Sequence, residues 1–133
     1  MVKIIFQLLL LIVSLVFSKE EPFKIEIRPR IIDGAKIIVN VDVKNIVKKP
    51  IDYIEGFISE FDNDGSFKNE KRLVILYEYE PPLQPGFSAT KSLIYPLIKD
   101  KPHTYEFRVS KVKFMGDKRI FTWHKDAGFI RID

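Results

Sequence analysis

AKIIVNVDVKNIVKKPIDYIEGFISEFDNDG, from Ala35 to Gly65, decides the fold. Ile37, Val39, Val41 and Val43 alternate with Lys36, Ile38, Asn40, Asp42 and Lys44. That is the two-residue period of a strand with one face in a core. Past the polar corner Asn45–Pro50, the run Ile51–Phe61 is apolar on both parities: Ile51, Tyr53, Phe57 and Phe61 on one, Ile54 and Ile58 on the other. Apolar side chains on both faces place that strand centrally in a sheet. Asn63-Asp64-Gly65 supplies residues that tolerate positive φ and closes a hairpin toward the next run.

Working outward, Phe23, Ile25 and Ile27 alternate with charged residues in a strand expected to stop near Pro29, and Asp33-Gly34 is a turn into the deciding strand. Downstream, Arg72–Tyr79 reads as a strand with Leu73, Ile75, Tyr77 and Tyr79 on one parity, ended by Pro81-Pro82. Pro85-Gly86 is the central pair of a type II turn before a strand at Phe87–Tyr95. Pro96–His103 is long enough to cross between sheets. Thr104–Phe114 starts with Tyr105, Phe107 and Val109 on one parity and ends with Val112 and Phe114 on the other, which predicts a β-bulge. Met115–Lys118 is a tight turn, Arg119–His124 a last strand, and Lys125–Asp133 a tail whose Phe129, Ile130 and Ile132 can tuck inward. No window carries a helical period with caps. The reading is all-β: a two-sheet, immunoglobulin-like Greek-key β-sandwich of about seven strands.

The chain has 133 residues. Met1-Val2-Lys3 followed by the apolar stretch Ile4–Phe17 reads as a signal peptide over 1–18, cut after Ser18; an uncleaved anchor is the alternative. Residues 19–133 are then one sandwich domain in an extracytoplasmic place, periplasmic or secreted. A membrane would be met only through residues 1–18, if they stay attached. Cysteine is absent, which excludes disulfides, thiolate metal sites and a cysteine nucleophile. Only Lys3 is charged in 1–18, so the domain keeps all 18 acidic residues and all but one of the 22 basic ones. So small an excess, spread along the chain, gives no footprint for nucleic acid.

Val41-Asp42-Val43-Lys44-Asn45, Lys49-Pro50-Ile51 with Tyr53 and Ile54, Phe61-Asp62 and Gly65, Pro82–Gly86, and Val109, Val112 and Phe114 before Gly116-Asp117 follow an order that resembles the small bacterial immunoglobulin-like domains of the FxLYD type. The likeness spans about Lys36–Ile120. The family's name-giving pattern falls on Ile58, Glu60, Phe61 and Asp62, where only the Asp agrees. The resemblance implies an interaction domain of secreted or envelope proteins, with no catalytic residues to transfer.

Candidate sites are few. Ser88-Ala89-Thr90-Lys91 spells S-x-x-K but enters a strand, whereas an acyl-enzyme serine heads a helix; chance explains it. Glu60, Asp62 and Asp64, spaced by two and followed by Gly65, are the weak calcium candidates, although residue 71, where an EF-hand places its bidentate Glu, is Lys. A solvated turn is the simpler reading. His103 and His124 read as surface histidines. Tyr77 and Tyr79 on one strand face would make a stacking platform for sugar rings if exposed, and Trp123 offers another ring; aromatics on strands more often belong to a core. Lys111 and Lys113 read as a solvated sheet face. The sequence therefore predicts a non-catalytic binding module without cofactor or metal. Its partner would be an envelope or extracellular protein met at a sheet edge or end loops, or else a polysaccharide on Tyr77 and Tyr79.

Overall fold

A computed structural model of the chain describes residues 20–98 and 103–133; the expected signal peptide lies outside them. Eight strands follow in order: β1 (Phe23–Ile32), β2 (Lys36–Asn45), β3 (Ile51–Phe61), β4 (Phe67–Leu76), β5 (Ser88–Pro96), β6 (Thr104–Phe114), β7 (Phe121–His124) and β8 (Gly128–Arg131). They form a three-stranded sheet in the order β1-β2-β5 and a five-stranded sheet in the order β4-β3-β6-β7-β8. Every pairing is antiparallel. β5 returns to β2 and β6 returns to β3, which gives the Greek-key path.

The alternation of β2 is realised as read. Val39, Val41 and Val43 are fully buried against Ile54, Ile58, Val109 and Val112 of the other sheet, while Asn40 and Asp42 face outward and bond Ser92 and Thr90 on β5. β3 is an interior strand with Ile54 and Ile58 inward. A register irregularity between Ile51 and Tyr53 lets Ile51 join the core even though it shares parity with the half-exposed Tyr53.

The parity switch in β6 is a bulge at Ser110: Lys111 pairs with Glu55 and Val109 with Gly56, and the Ser110 hydroxyl bonds the Glu55 carbonyl at 3.2 Å. On the other flank, Leu76 pairs with Ile54 and Val74 with Glu55, leaving Ile75 unpaired. Between the two bulges Gly56 has no room for a side chain. A Cβ there would meet the Arg108 carbonyl and the Phe107 ring.

Several strand limits differ from the sequence reading: β4 already starts at Phe67, ahead of Arg72, and β7 starts at Phe121, after Arg119. β1 continues through Pro29 to Ile32 because it is an edge strand, where a missing N–H costs nothing on the open side. β4 ends at Leu76, before Tyr77 and Tyr79, where a turn closed by Glu80 N–H to the Tyr77 carbonyl (3.0 Å) takes over. The tail is a strand: β8 pairs with β7 and carries Phe129 onto Phe23, Phe114 and Phe121.

Candidate functional site

The inward face of β3 runs Ile54, Gly56, Ile58 and then Glu60, so the core layer at this end of the sandwich begins with a carboxylate. Its partners are dictated by register. Tyr105 on β6 and Asn69 on β4 lie directly opposite Glu60, and His103 stands just before β6. The Asn69 amide donates to Glu60 Oε1 at 2.5 Å and His103 Nδ1 sits 2.8 Å from Oε2, with the Tyr105 side chain beside the same carboxylate. Glu60 and His103 side chains are 8% and 10% exposed, so this is a buried pair, in contrast to a solvent-facing salt bridge.

From the facing sheet β5 contributes Tyr95, which lies against Tyr105 with ring centroids 4.8 Å apart. Lys71 places its ammonium 4.4 Å from the centre of the Tyr95 ring. Burial first, and then the Glu60 charge, push both tyrosine hydroxyls up to about 12. Two polar atoms of the layer are left over: the Tyr95 hydroxyl and Asn69 Oδ1 are buried and have no hydrogen-bond partner among the described residues. A buried polar group without a partner is costly, which marks this layer as incomplete.

Beside the layer opens a cleft of about 490 Å³, lined by Ile31, Gly34 and Ile37 of the first hairpin, Pro96, Leu97 and Ile98 at the end of β5, and His103 and Tyr105. Its lip is apolar and wet, with Ile31 60% and Ile98 46% exposed. With Nδ1 held by Glu60, the other nitrogen of His103, Nε2, has no partner among the described residues. An imidazole oriented by a carboxylate can accept or deliver a proton, but among the described residues the lining brings no serine, threonine, lysine or acid against it.

The residues singled out from sequence fall elsewhere. Glu60 is turned inward, away from Asp62 and Asp64. In the β3–β4 hairpin Asp62 accepts the backbone N–H groups of Asp64 (3.1 Å) and Ser66 (3.2 Å) and the Ser66 hydroxyl (2.8 Å). The Asp64 side chain first, then the Ser66 hydroxyl and the two backbone N–H groups, hold its carboxyl well below the usual range. Among the described residues no three His, Asp or Glu side chains gather in a way that could hold a metal ion. Tyr77 and Tyr79 come together in the turn after β4, with centroids 5.1 Å apart and planes 15° off parallel. They stack on each other face to face, so their inner faces are spent, while Tyr79 is 82% exposed.

His124 is exposed, whereas His103 corrects the surface reading: it is drawn inward because Glu60 needs a donor. The signal for Glu60 was in the sequence, since it shares parity with Ile54 and Ile58. What pairs with it depended on register.

A second buried acid, Glu55, sits between the bulges and is held by Arg72 (2.6 Å) and the Tyr53 hydroxyl (2.6 Å). The bond from Arg72 lowers its pKa against the opposing effect of burial. Both bonds fall on Oε1, and the Lys111 ammonium lies 4.0 Å from Oε2, so Glu55 is tied to three side chains across the sheet.

No family model and no curated protein matches the chain. A solved structure of a Bordetella pertussis protein provisionally named ApaA is similar, with a TM-score of 0.55 and 16% sequence identity over 86% of this chain and 93% of that one. At this identity the likeness shows the shared sandwich fold alone.

Proposed function

We propose that the protein is a non-catalytic, extracytoplasmic binding domain that takes hold of an envelope or extracellular protein at the Glu60 end of its sandwich, with an apolar group of the partner seated in the cleft. The observation that carries this reading is the cleft itself: open, apolar, rimmed by Ile31 and Ile98, and set against a layer whose hydrogen bonds are unfinished. Absence of a nucleophile beside His103 among the described lining residues favours binding over catalysis. The exposed Tyr77–Tyr79 pair favours a second reading, in which the outer ring faces stack on a polysaccharide.

A pull-down from an envelope fraction tests both, with retained proteins and polysaccharide assayed side by side. Capture of one protein by the wild-type chain, lost in Ile31→Asp/Ile98→Asp and kept in Tyr77→Ala/Tyr79→Ala, supports the cleft. Polysaccharide retention lost only in the tyrosine variant replaces it with the second reading.

A further inference from the structure

We infer that the outer face of the β1-β2-β5 sheet is a second binding surface, separate from the cleft, and that its ligand is an extended anionic polysaccharide. Register sets the inward valines of β2 against the core and turns Lys24, Arg28 and Arg30 of β1 and Lys36 and Lys44 of β2 to the solvent side. Glu26 and Asp42 are the acids that share this face, since the outward positions of β5 are Ser88, Thr90, Ser92, Ile94 and Pro96. The described residues hold all but four of the 22 basic side chains and all but one of the 18 acidic ones, so outside this face they are slightly acidic. An excess that is thin along the sequence is gathered by the fold onto one surface. Residues 99–102 read Lys-Asp-Lys-Pro and residues 1–19 contain two lysines and no acid, so neither stretch reverses the sign.

The two sheets arrange their outward charges differently. On the five-stranded sheet Arg72 and Lys111 meet Glu55, Arg108 meets Glu70 and Lys113 meets Glu78, each within 4.0 Å. On the three-stranded sheet Lys24 has Lys44 directly across the ladder, and like charges so placed cost stability. Both acids of the face gather in its middle at Arg28, 3.0 Å from Glu26 and 3.8 Å from Asp42, with Lys24 reaching Glu26 at 3.7 Å. Cations therefore hold both ends of the strip, where an anionic ligand relieves their repulsion. Three strands make a strip about 10 Å wide, and the span from Lys24 to Ile32 is about 25 Å long. That suits one extended polymer chain and is well short of the ~800 Å² that each side of a stable protein interface buries. The Thr90 and Ser92 hydroxyls and the Asn40 amide lie between the long basic side chains, where sugar hydroxyls find partners. Among the described residues this face carries no aromatic ring on which a nucleobase would stack. The choice of polysaccharide over nucleic acid also rests on the extracytoplasmic reading above.

Four probes titrated with the full chain test the assignment: polygalacturonate, neutral dextran, oligodeoxythymidylate and phosphatidylglycerol vesicles. Polygalacturonate should bind and dextran should not, with affinity falling about tenfold between about 50 and 200 mM salt as two or three counterions are released. Arg28→Glu/Arg30→Glu should weaken polygalacturonate binding by about tenfold or more, whereas Lys118→Glu/Lys125→Glu, the same change of charge away from the face, should move it less than about twofold. Should the first variant fail to fold, Lys36→Glu/Lys44→Glu decides: binding is lost while the melting temperature holds or rises, because Lys24 then faces an opposite charge. No binding of polygalacturonate, or equal losses in the face and control variants, overturns the inference. Tighter binding of oligodeoxythymidylate overturns the polysaccharide and the extracytoplasmic reading together. Vesicle binding abolished by Arg28→Glu/Arg30→Glu, with polygalacturonate left unbound, gives the face to a membrane instead. None of these readouts passes through the cleft, so the fate of the Ile31→Asp/Ile98→Asp experiment is separate.

Discussion

Asn45 and Glu60 are both buried polar residues on the inner face of the sandwich, at opposite ends, and their surroundings close differently. Asn45, fully buried at the end of β2, donates to the carbonyls of Lys49 (2.9 Å) and Leu83 (3.0 Å) and accepts the Val47 N–H (2.9 Å). Its own N–H and carbonyl bond Phe87 and Gly86, so the Pro85-Gly86 turn, with Gly86 at φ 85°, folds directly beneath it. Every polar atom of that side chain is used. At the other end Glu60 meets Asn69 and His103, yet Tyr95 and Asn69 beside it keep atoms with no partner among the described residues and a cleft opens alongside. A finished polar plug ties loops together, and an unfinished one has capacity to spare for a ligand.

The sharpest break in this comparison is to remove the frame that both ends share. Gly56→Ala should cost more than about 3 kcal/mol in urea unfolding, or prevent folding, because the Arg108 carbonyl is backbone and cannot step aside. Asn45→Leu should cost about 2 to 3 kcal/mol in the same measurement, since it leaves Val47 N–H and the Lys49 carbonyl without their partner. That loss should be insensitive to any ligand of the cleft, as befits an end that only holds loops.

Alkaline pH probes the opposite end. The unfolded tyrosines ionise near 10 whereas Tyr95 and Tyr105 do so at about 12, so the folded state binds more protons in between. Stability is therefore unaffected by these two groups below pH 10 and falls from pH 10 toward 12, by at most about 1.4 kcal/mol per pH unit for each ring. Tyr95→Phe should flatten that fall while leaving stability at pH 7 unchanged within about 0.5 kcal/mol or slightly raised, because the hydroxyl it removes has no partner among the described residues to lose. Thermal melts across pH 7 to 12 would show it; a large loss at pH 7 would mean that the hydroxyl is satisfied after all. Smallest of all, Tyr79→Ala should shift stability by less than about 0.5 kcal/mol, given its exposure and a ring contact confined to Tyr77.

Much of the Asn45 end was legible in the sequence, since it is built from local signals: a strand ending in Asn, a Lys-Pro corner and a Pro-Gly turn. The Glu60 end was legible only in part. Parity with Ile54 and Ile58 aims Glu60 inward, but its regular spacing with Asp62 and Asp64 suggests a shared loop that the structure divides between core and hairpin. His103 carries no periodic signal because it precedes its strand. Tyr77 and Tyr79 keep strand parity in the sequence, and only the turn after Leu76 turns them out and onto each other.

By itself the sequence determined the all-β class, the central β2 and β3 strands, the bulge in β6 and the turns at Asp33-Gly34, Asn63–Gly65, Pro85-Gly86 and Met115-Gly116, because side-chain alternation and backbone preference act within a few residues. Only the tertiary structure decided that the tail becomes β8, that Glu60, Asn69, Tyr95, His103 and Tyr105 converge from four separate segments, and that a cleft opens beside them. Those are matters of strand register and of which face meets which sheet, and they are set by contacts between residues far apart in the chain.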